Sequence, residues 1–142
     1  MATKNQFWTN PDFGLLILRI AVGGLLFLHG VHKISNGLEN QMQLLSSNGI
    51  PGQLMYFVYI SEVAAPVLLL MGIFTRISAL TIIMTMITII YVIPVPLLGL
   101  DKHGASLIEL QLFYLLIPVA LFFTGPGRYR LTNTGAKHWL LD

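Results

Sequence analysis

The sequence contains no cysteine. A disulfide, a thiolate metal site, an iron–sulfur cluster or a thiol redox centre therefore cannot be built from this chain alone. Four histidines are present, at His29, His32, His103 and His138. A transmembrane haem would need two histidines facing each other inside a helical bundle. Because only His29 is expected inside, the sequence predicts neither bound haem nor a metal site.

Charged residues are also scarce, at 10% of the 142 residues, against about 25% in a typical soluble domain. Apolar residues make up 55% of the chain, and the mean hydropathy is +0.75. This composition predicts an all-α integral membrane protein, and the length allows a single membrane domain, 1–142. The net charge of +2 is too small to indicate nucleic-acid binding. The basic residues are better interpreted as topology signals in a lipid bilayer.

Four apolar segments predict a bundle of four transmembrane helices, at about 13–34, 54–74, 77–99 and 105–124. Each is long enough to cross about 30 Å of hydrocarbon at 1.5 Å per residue. The connection 35–53 has apolar residues at helical spacing, which predicts a short amphipathic helix on the membrane surface. A mobile loop is the alternative for that connection. The last segment, 125–142, is predicted to be a cytoplasmic tail.

Basic residues are distributed unevenly between the two sides that this topology creates. One side carries five of them, Lys4, Arg76, Arg128, Arg130 and Lys137, and the other side carries two, Lys33 and Lys102. Positive residues favour the cytoplasmic side of a membrane protein. We therefore expect both termini to be cytoplasmic and the connection 35–53 to face outward.

Arg19 lies well inside the first apolar segment. An arginine at membrane depth costs roughly 2.5–3.5 kcal/mol on insertion scales, and it needs a partner or water inside a bundle. At 100° per residue, one stripe of the first helix carries Arg19, Gly23, Leu26, Gly30 and Lys33, with His29 at its edge. This stripe is predicted to face the other helices, and the opposite face is predicted to contact lipid.

Counting residues along the predicted helices places several ionisable groups in the outer half of the membrane. The predicted ligand-binding residues are Arg19, His29, Lys33, Glu62, Glu109 and His103. Arg19 lies about 10 Å below Glu62 at 1.5 Å per residue, and it is expected to reach Glu62 or the carbonyl that Pro66 deprives of its helical donor. Glu62 and His29 are the candidates for proton transfer, and no other catalytic role is assigned. The alternative is an Arg19–Glu62 pair that fixes helix register and does nothing more.

Hydroxyl residues recur at helical spacing along the third predicted span, at Ser78, Thr81, Thr85 and Thr88. Small hydroxyl residues in membrane helices favour close helix–helix contacts with hydrogen bonds between helices. We therefore expect this row to bond to a neighbouring helix, although it is also a candidate lining for a polar pocket.

Three short motifs together resemble the DoxX family. The first helix has Leu18-Arg19-Ile20, then His29-Gly30, then Lys33, and the second has Glu62 followed by the segment 70–76, Leu-Met-Gly-Ile-Phe-Thr-Arg. The closing motif is Gly-Pro-Gly-Arg-Tyr at 125–129. The similarity covers about 13–131. One departure is Arg-Leu-Thr at 130–132, where the family often has Ser-Leu-Asp, so no acid is available there.

The resemblance implies a four-helix protein of the bacterial inner membrane. Some DoxX relatives are small subunits of thiosulfate:quinone oxidoreductase, and others associate with oxidative-stress enzymes. On this basis the chain is expected to be a membrane subunit of a quinone-linked oxidoreductase or oxidative-stress complex. Quinone is the candidate ligand, and a protein partner would carry the redox centre because the chain has no obvious electron carrier. The alternatives are a non-catalytic scaffold that recruits a partner, and a proton or small-solute transporter working as a homo-oligomer.

Overall fold

The computed structural model describes residues 10–96 and 98–131. Within these residues the chain forms five helices and no strand. The helices are α1 (Pro11–Asn36), α2 (Glu39–Ser47), α3 (Gly52–Met71), α4 (Thr75–Val92) and α5 (Glu109–Thr124). The predicted all-α class is therefore confirmed.

Three of these helices, α1, α3 and α4, are long and apolar enough to cross a membrane, with 26, 20 and 18 residues. The fourth predicted span is shorter than expected, because α5 has 16 residues and extends for about 24 Å at 1.5 Å per residue. It begins at Glu109 instead of near 105. Before it, the Asp101 carboxylate accepts hydrogen bonds from the backbone N–H groups of His103 and Ala105, which holds a turn in place of the expected helix start.

The third predicted span is also shorter, because α4 ends at Val92 and not near 99. Pro94 and Pro96 follow directly. Proline has no backbone N–H to continue the helical ladder, and it disfavours the helical conformation of the preceding residue. The two prolines therefore account for the early end of α4.

The connection between α1 and α3 forms helix α2 rather than an irregular loop. Leu38, just before the helix, and Leu45, within it, are buried, whereas Glu39 and Gln43 are exposed. The two leucines pack with Met55, Val58 and Val92 from the adjoining ends of α3 and α4. Hydrophobic contact therefore fixes α2 across that end of the bundle.

The buried face of α1 confirms the stripe predicted from its sequence. Its buried residues are Arg19, Val22, Gly23, Leu26 and Gly30. His32 is exposed, and His29 is exposed too, so the expectation that His29 lies inside the bundle is wrong. A β-carbon on Gly30 would press against the Glu62 carbonyl and would lie 2.7 Å from a methyl group of Val63. Glycine at this position therefore allows α1 and α3 to approach closely.

Helix α3 is irregular in a way that its sequence explains. It starts with a 3₁₀ turn over Gly52–Tyr56, and it widens into a π-turn over Ile60–Ala64. Pro66 cannot donate to the carbonyl of Glu62 four residues earlier, so the regular ladder is interrupted within this turn. The widened turn carries Ser61 and Glu62, and both side chains are buried.

The end of α3 is a Schellman motif. Gly72 has φ +71°, and its N–H donates to the Leu69 carbonyl, while the Ile73 N–H donates to the Leu68 carbonyl. A β-carbon on Gly72 would lie 2.5 Å from a guanidinium nitrogen of Arg19. The turn therefore needs glycine for both its backbone conformation and its contact with Arg19.

The four long helices pack as neighbours in the order α1, α3, α4, α5. Helix α1 packs closely on α3 and α4 packs closely on α5, whereas the contact between α1 and α5 is the smallest among these neighbouring pairs. The buried core shared by these helices consists of Val22, Leu26, Ala65, Leu69, Ala79, Ile82, Met86, Tyr114 and Leu121. The arrangement leaves a loose seam between α1 and α5.

The hydroxyl row on α4 does not make the expected interhelical bonds. Thr81, Thr85 and Thr88 each donate to the carbonyl four residues earlier in their own helix, at 2.9, 3.1 and 3.0 Å. Threonine hydroxyls readily bond back to the preceding helical turn. The interhelical interpretation is therefore wrong for these three residues, and the buried Ser78 hydroxyl has no hydrogen-bond partner among the described residues.

Candidate functional site

Arg19 is bound by backbone carbonyls and not by Glu62. Its side chain is 1% exposed, and it donates to the carbonyls of Leu69, Leu70, Pro126 and Tyr129 at 2.8, 2.8, 2.7 and 2.6 Å. The last carbonyls of any helix lack helical donors. Because α3 ends at the depth of Arg19, the guanidinium bonds to these carbonyls. The predicted Arg19–Glu62 pair is therefore wrong.

The same arginine holds residues 125–131, which we call the closing segment, against the bundle. The Leu131 N–H donates to the Met71 carbonyl, and the Arg128 N–H donates to the Asp12 carboxylate. Arg76, at the start of α4, donates to the carbonyl of Phe122 near the end of α5. The start of α1 and the closing segment therefore lie at the same end of the bundle. There Arg19 of α1 bonds both to the end of α3 and to the closing segment.

Glu62 pairs with Lys33. The Lys33 ammonium lies 2.5 Å from Oε1 of Glu62, and the two side chains are 17% and 2% exposed. Lys33 comes from the last turn of α1, and Glu62 comes from the π-turn of α3. The other carboxylate oxygen, Oε2, is buried and receives no hydrogen bond from any described residue. A buried polar atom without a partner is costly, at about 1–3 kcal/mol, so this oxygen is an available acceptor.

Tyr114 and His29 complete what we call the Glu62 site, together with Lys33 and Glu62. Tyr114 is mostly buried on α5, on the side of that helix that meets α1. Its ring meets the His29 ring edge to face, with centroids 5.9 Å apart. Sequence reasoning did not select Tyr114. The available signal was a phenol inside the apolar run of α5, one turn before Pro118.

Glu109 and His103 do not join this site. Both are exposed, and among residues 10–96 and 98–131 no hydrogen bond or ion pair links either side chain to Glu62. Glu109 lines a shallow depression at the start of α5 with Ser106 and Phe113. Because α5 starts four residues later than predicted, Glu109 is its first residue and not one turn inside. Of the six predicted residues, the structure thus brings Lys33 and Glu62 into contact. It places His29 one turn before Lys33 on α1, against Tyr114.

A separate apolar groove of about 540 Å³ lies between α3 and α4, closed at one end by Leu45 and Ile50. Its other lining residues include Thr81, Thr85 and Thr88, whose hydroxyls already donate within α4. No titratable acid or base lines it. In the described part of the chain no cluster of three or more metal-ligating residues exists.

Comparison with known proteins gives a consistent set of relatives. The DoxX family profile matches residues 14–94, a region that contains Arg19, Lys33 and Glu62. The chain is 35% identical over 82 residues to "Putative oxidoreductase CatD" of Bacillus subtilis, a match covering 55% of this chain and 60% of that protein. It is 32% identical over 121 residues to an uncharacterized protein of Haemophilus influenzae, covering 84% of this chain and 88% of that one. No solved structure gives a significant match.

Proposed function

This chain belongs to the DoxX family and has several apolar helices long enough to cross a bilayer, and from that premise we propose that it is the small multi-pass membrane subunit of a quinone-linked oxidoreductase or oxidative-stress complex. The name of its CatD relative supports an oxidoreductase role. The chain has no cysteine, and its described residues include no metal-binding cluster. The redox centre is therefore assigned to a protein partner.

The observation that carries this proposal is the buried carboxylate of Glu62. Interconversion of a quinone and a hydroquinone moves two protons with two electrons, so the site needs a group that exchanges protons within hydrogen-bond reach. One oxygen of Glu62 is fixed by Lys33, and the other has no donor among the described residues. In our proposal Glu62 exchanges the two protons one after the other, and the exposed His29 connects it to water between the two transfers. Lys33 positions the carboxylate. The electrons pass to or from the partner's redox centre.

The proposed topology has four membrane crossings in the bacterial inner membrane, with both termini cytoplasmic. The close approach of the closing segment to the start of α1 supports an even number of crossings. Arg76, Arg128 and Arg130 belong to this end of the bundle, and Lys33 and Lys102 belong to the other. Helix α5 is short for a span, and local bilayer thinning accommodates a helix of that length at modest cost. The Glu62 site then lies in the outer half.

A quinone titration tests the proposed function. Short-chain quinone in both redox states is titrated into the protein in nanodiscs, with Glu62→Gln as the test variant and Glu39→Gln as the control. Glu39 is an exposed carboxylate on α2, so the control makes the same chemical change away from the site. We expect saturable binding of the hydroquinone to the wild type and to Glu39→Gln, weakened at least about tenfold in Glu62→Gln through loss of a charge-assisted hydrogen bond. If neither the quinone nor the hydroquinone binds saturably, the proposal is refuted.

A non-catalytic scaffold is the second candidate, and the Lys33–Glu62 contact itself favours it. An ion pair between α1 and α3 can serve to fix the register of two helices without further chemistry. The scaffold hypothesis expects no quinone binding, and it expects an apolar pair, Lys33→Met with Glu62→Met, to fold as stably as the wild type. A double variant that folds stably but no longer binds quinone supports the oxidoreductase role instead.

A further inference from the structure

Three buried side-chain polar atoms in the described residues have no hydrogen-bond partner: Oε2 of Glu62, Oγ1 of Thr75 and Oγ of Ser78. The two hydroxyls lie at the start of α4, and a hydroxyl can act as donor or acceptor. An ionised carboxylate oxygen only accepts. Oε2 of Glu62, in the 2% exposed side chain, therefore calls for one specific kind of group, a hydrogen-bond donor.

The two redox forms of a quinone differ in this property. A quinone presents two carbonyl oxygens, which accept hydrogen bonds but cannot donate. A hydroquinone presents two hydroxyl groups, and each hydroxyl both donates and accepts. Beside Glu62, a hydroquinone hydroxyl can donate to Oε2 while its oxygen accepts from Lys33, which has three N–H donors and uses one on Oε1. While Glu62 is ionised, a quinone carbonyl can accept from Lys33, but the lone pairs of its oxygen face those of Oε2, which stays without a donor.

The direction of approach follows from the packing. Helices α1 and α5 are the most loosely packed neighbours among the four long helices. His29 on α1 is exposed, and its ring meets Tyr114 on α5 at this seam. A flat aromatic headgroup entering from the bilayer between α1 and α5 would pass these two rings before it reaches Glu62, and aromatic rings favour stacked or edge contacts with each other.

We propose that the Glu62 site selects the reduced, dihydroxy form of an aromatic lipid-soluble headgroup, with one hydroxyl donating to Oε2 of Glu62 and accepting from Lys33. This inference rests on the proposed function and specifies the redox state that the site holds. A site built to hydrogen-bond a hydroxyl rejects an analogue that lacks it, because the buried acceptor is then left without a partner.

The test compares three ligands with the same ring and side chain in nanodiscs under anaerobic conditions: a short-chain hydroquinone, its quinone and the dimethyl ether of the hydroquinone. The quinone matches the hydroquinone in size but has no donor. The ether keeps the ring electron-rich and the oxygens in place, and it replaces both donors with methyl groups. We expect the wild type to bind the hydroquinone at least about tenfold more tightly than either of the other two, the ratio that a charge-assisted hydrogen bond of about 1.5 kcal/mol provides. This comparison uses only the wild-type protein, so it does not depend on whether a variant folds. In Glu62→Gln the preference should fall below about threefold, whereas Glu39→Gln should keep it.

The outcomes separate this inference from the proposed function. If the quinone or the ether binds the wild type as tightly as the hydroquinone, and binding is weakened in Glu62→Gln, the quinone-linked role stands and the selection of the reduced form is refuted. If none of the three ligands binds saturably, the proposed function itself fails. If the preference for the hydroquinone persists unchanged in Glu62→Gln, its hydroxyl donates to some group other than Glu62. That result also overturns the inference.

Discussion

Arg19 and Glu62 are both buried in the helical bundle, and each obtains its hydrogen bonds in a different way. Arg19 uses its planar fork of donors on four backbone carbonyls from α3 and the closing segment. Glu62 has one ammonium partner and one oxygen without a donor among the described residues. A fully bonded guanidinium stabilises the fold, whereas a half-bonded carboxylate is suited to exchange a ligand or a proton. In our proposal, stability and chemistry therefore depend on different residues.

The geometry of Arg19 predicts that lysine cannot replace it. Lysine has a compact ammonium with three donors and no fixed fork, so Arg19→Lys should leave at least one carbonyl without a donor. We expect a loss of about 2 kcal/mol in thermal unfolding and faster trypsin cleavage within the closing segment. Arg128→Lys, at an exposed arginine, is the control and should change neither readout. Equal stability of the two variants would show that the carbonyl contacts of Arg19 contribute little.

Two glycines of α1 provide a matched pair for testing the α1–α3 contact. A β-carbon at Gly30 would collide with the Glu62 backbone, whereas one at Gly24 meets no atom within 4 Å. Gly30→Ala should destabilise the protein by about 1–3 kcal/mol through overpacking, and it should weaken quinone binding by displacing Lys33 from Glu62. Gly24→Ala should be neutral or stabilising by up to about 1 kcal/mol, because alanine favours the helix. Similar melting temperatures for both variants would contradict the close approach.

At the scale of elements, the ion pair joins α1 to α3 and can be measured as a coupling. Removing one partner leaves a buried charge unpaired, so Lys33→Met and Glu62→Gln should each be destabilising. A double-mutant cycle should give a coupling of about 1–3 kcal/mol for Lys33 with Glu62. The corresponding cycle for Arg19→Leu with Glu62→Gln should be additive within about 0.5 kcal/mol, since these side chains do not touch. The reverse result would restore the Arg19–Glu62 pair that the sequence alone suggested.

The hydroxyl row of α4 gives a second prediction at this scale. Thr81 and Thr85 bond within their own helix and line the apolar groove, so their hydroxyls connect no two elements. Thr81→Val and Thr85→Val keep the side-chain shape and should change the free energy of unfolding by less than about 1 kcal/mol each. Thermal melts in nanodiscs check this. A loss of several kcal/mol in either variant would indicate an interhelical hydrogen bond after all.

For the whole molecule, the proposed orientation can be tested directly because the chain has no native cysteine. Ser47, on α2, and Leu131, in the closing segment, are both exposed and lie towards opposite ends of the bundle. An impermeant maleimide should label Ser47→Cys in intact spheroplasts and should label Leu131→Cys only after lysis. Labelling in the opposite order would place the Glu62 site on the cytoplasmic side, and labelling of both would contradict an even number of crossings.

The sequence by itself determined the helices and the faces that they bury. Apolar runs predicted where the apolar helices lie, Gly72 and Gly125 end two of them, and the stripe from Arg19 to Gly30 on α1 is the buried one. Family membership was also recognisable from short motifs in their order and spacing. These features depend on local periodicity and turn chemistry, which a single segment carries without its neighbours.

Only the tertiary structure decided which groups meet. Counting residues gives the height of a side chain along a helix, but it gives neither the rotation of that helix nor the residue at which it starts. Helix α5 starts four residues later than predicted, and Glu109 is therefore at its exposed start. Helix α3 ends at Met71 and not near 74, and carbonyls at its end accept from Arg19. Lys33 reached Glu62 because Gly30 lets α1 approach α3 and because the π-turn redirects the carboxylate. Partner choice in a bundle depends on such offsets, since a hydrogen bond forms only within about 3 Å.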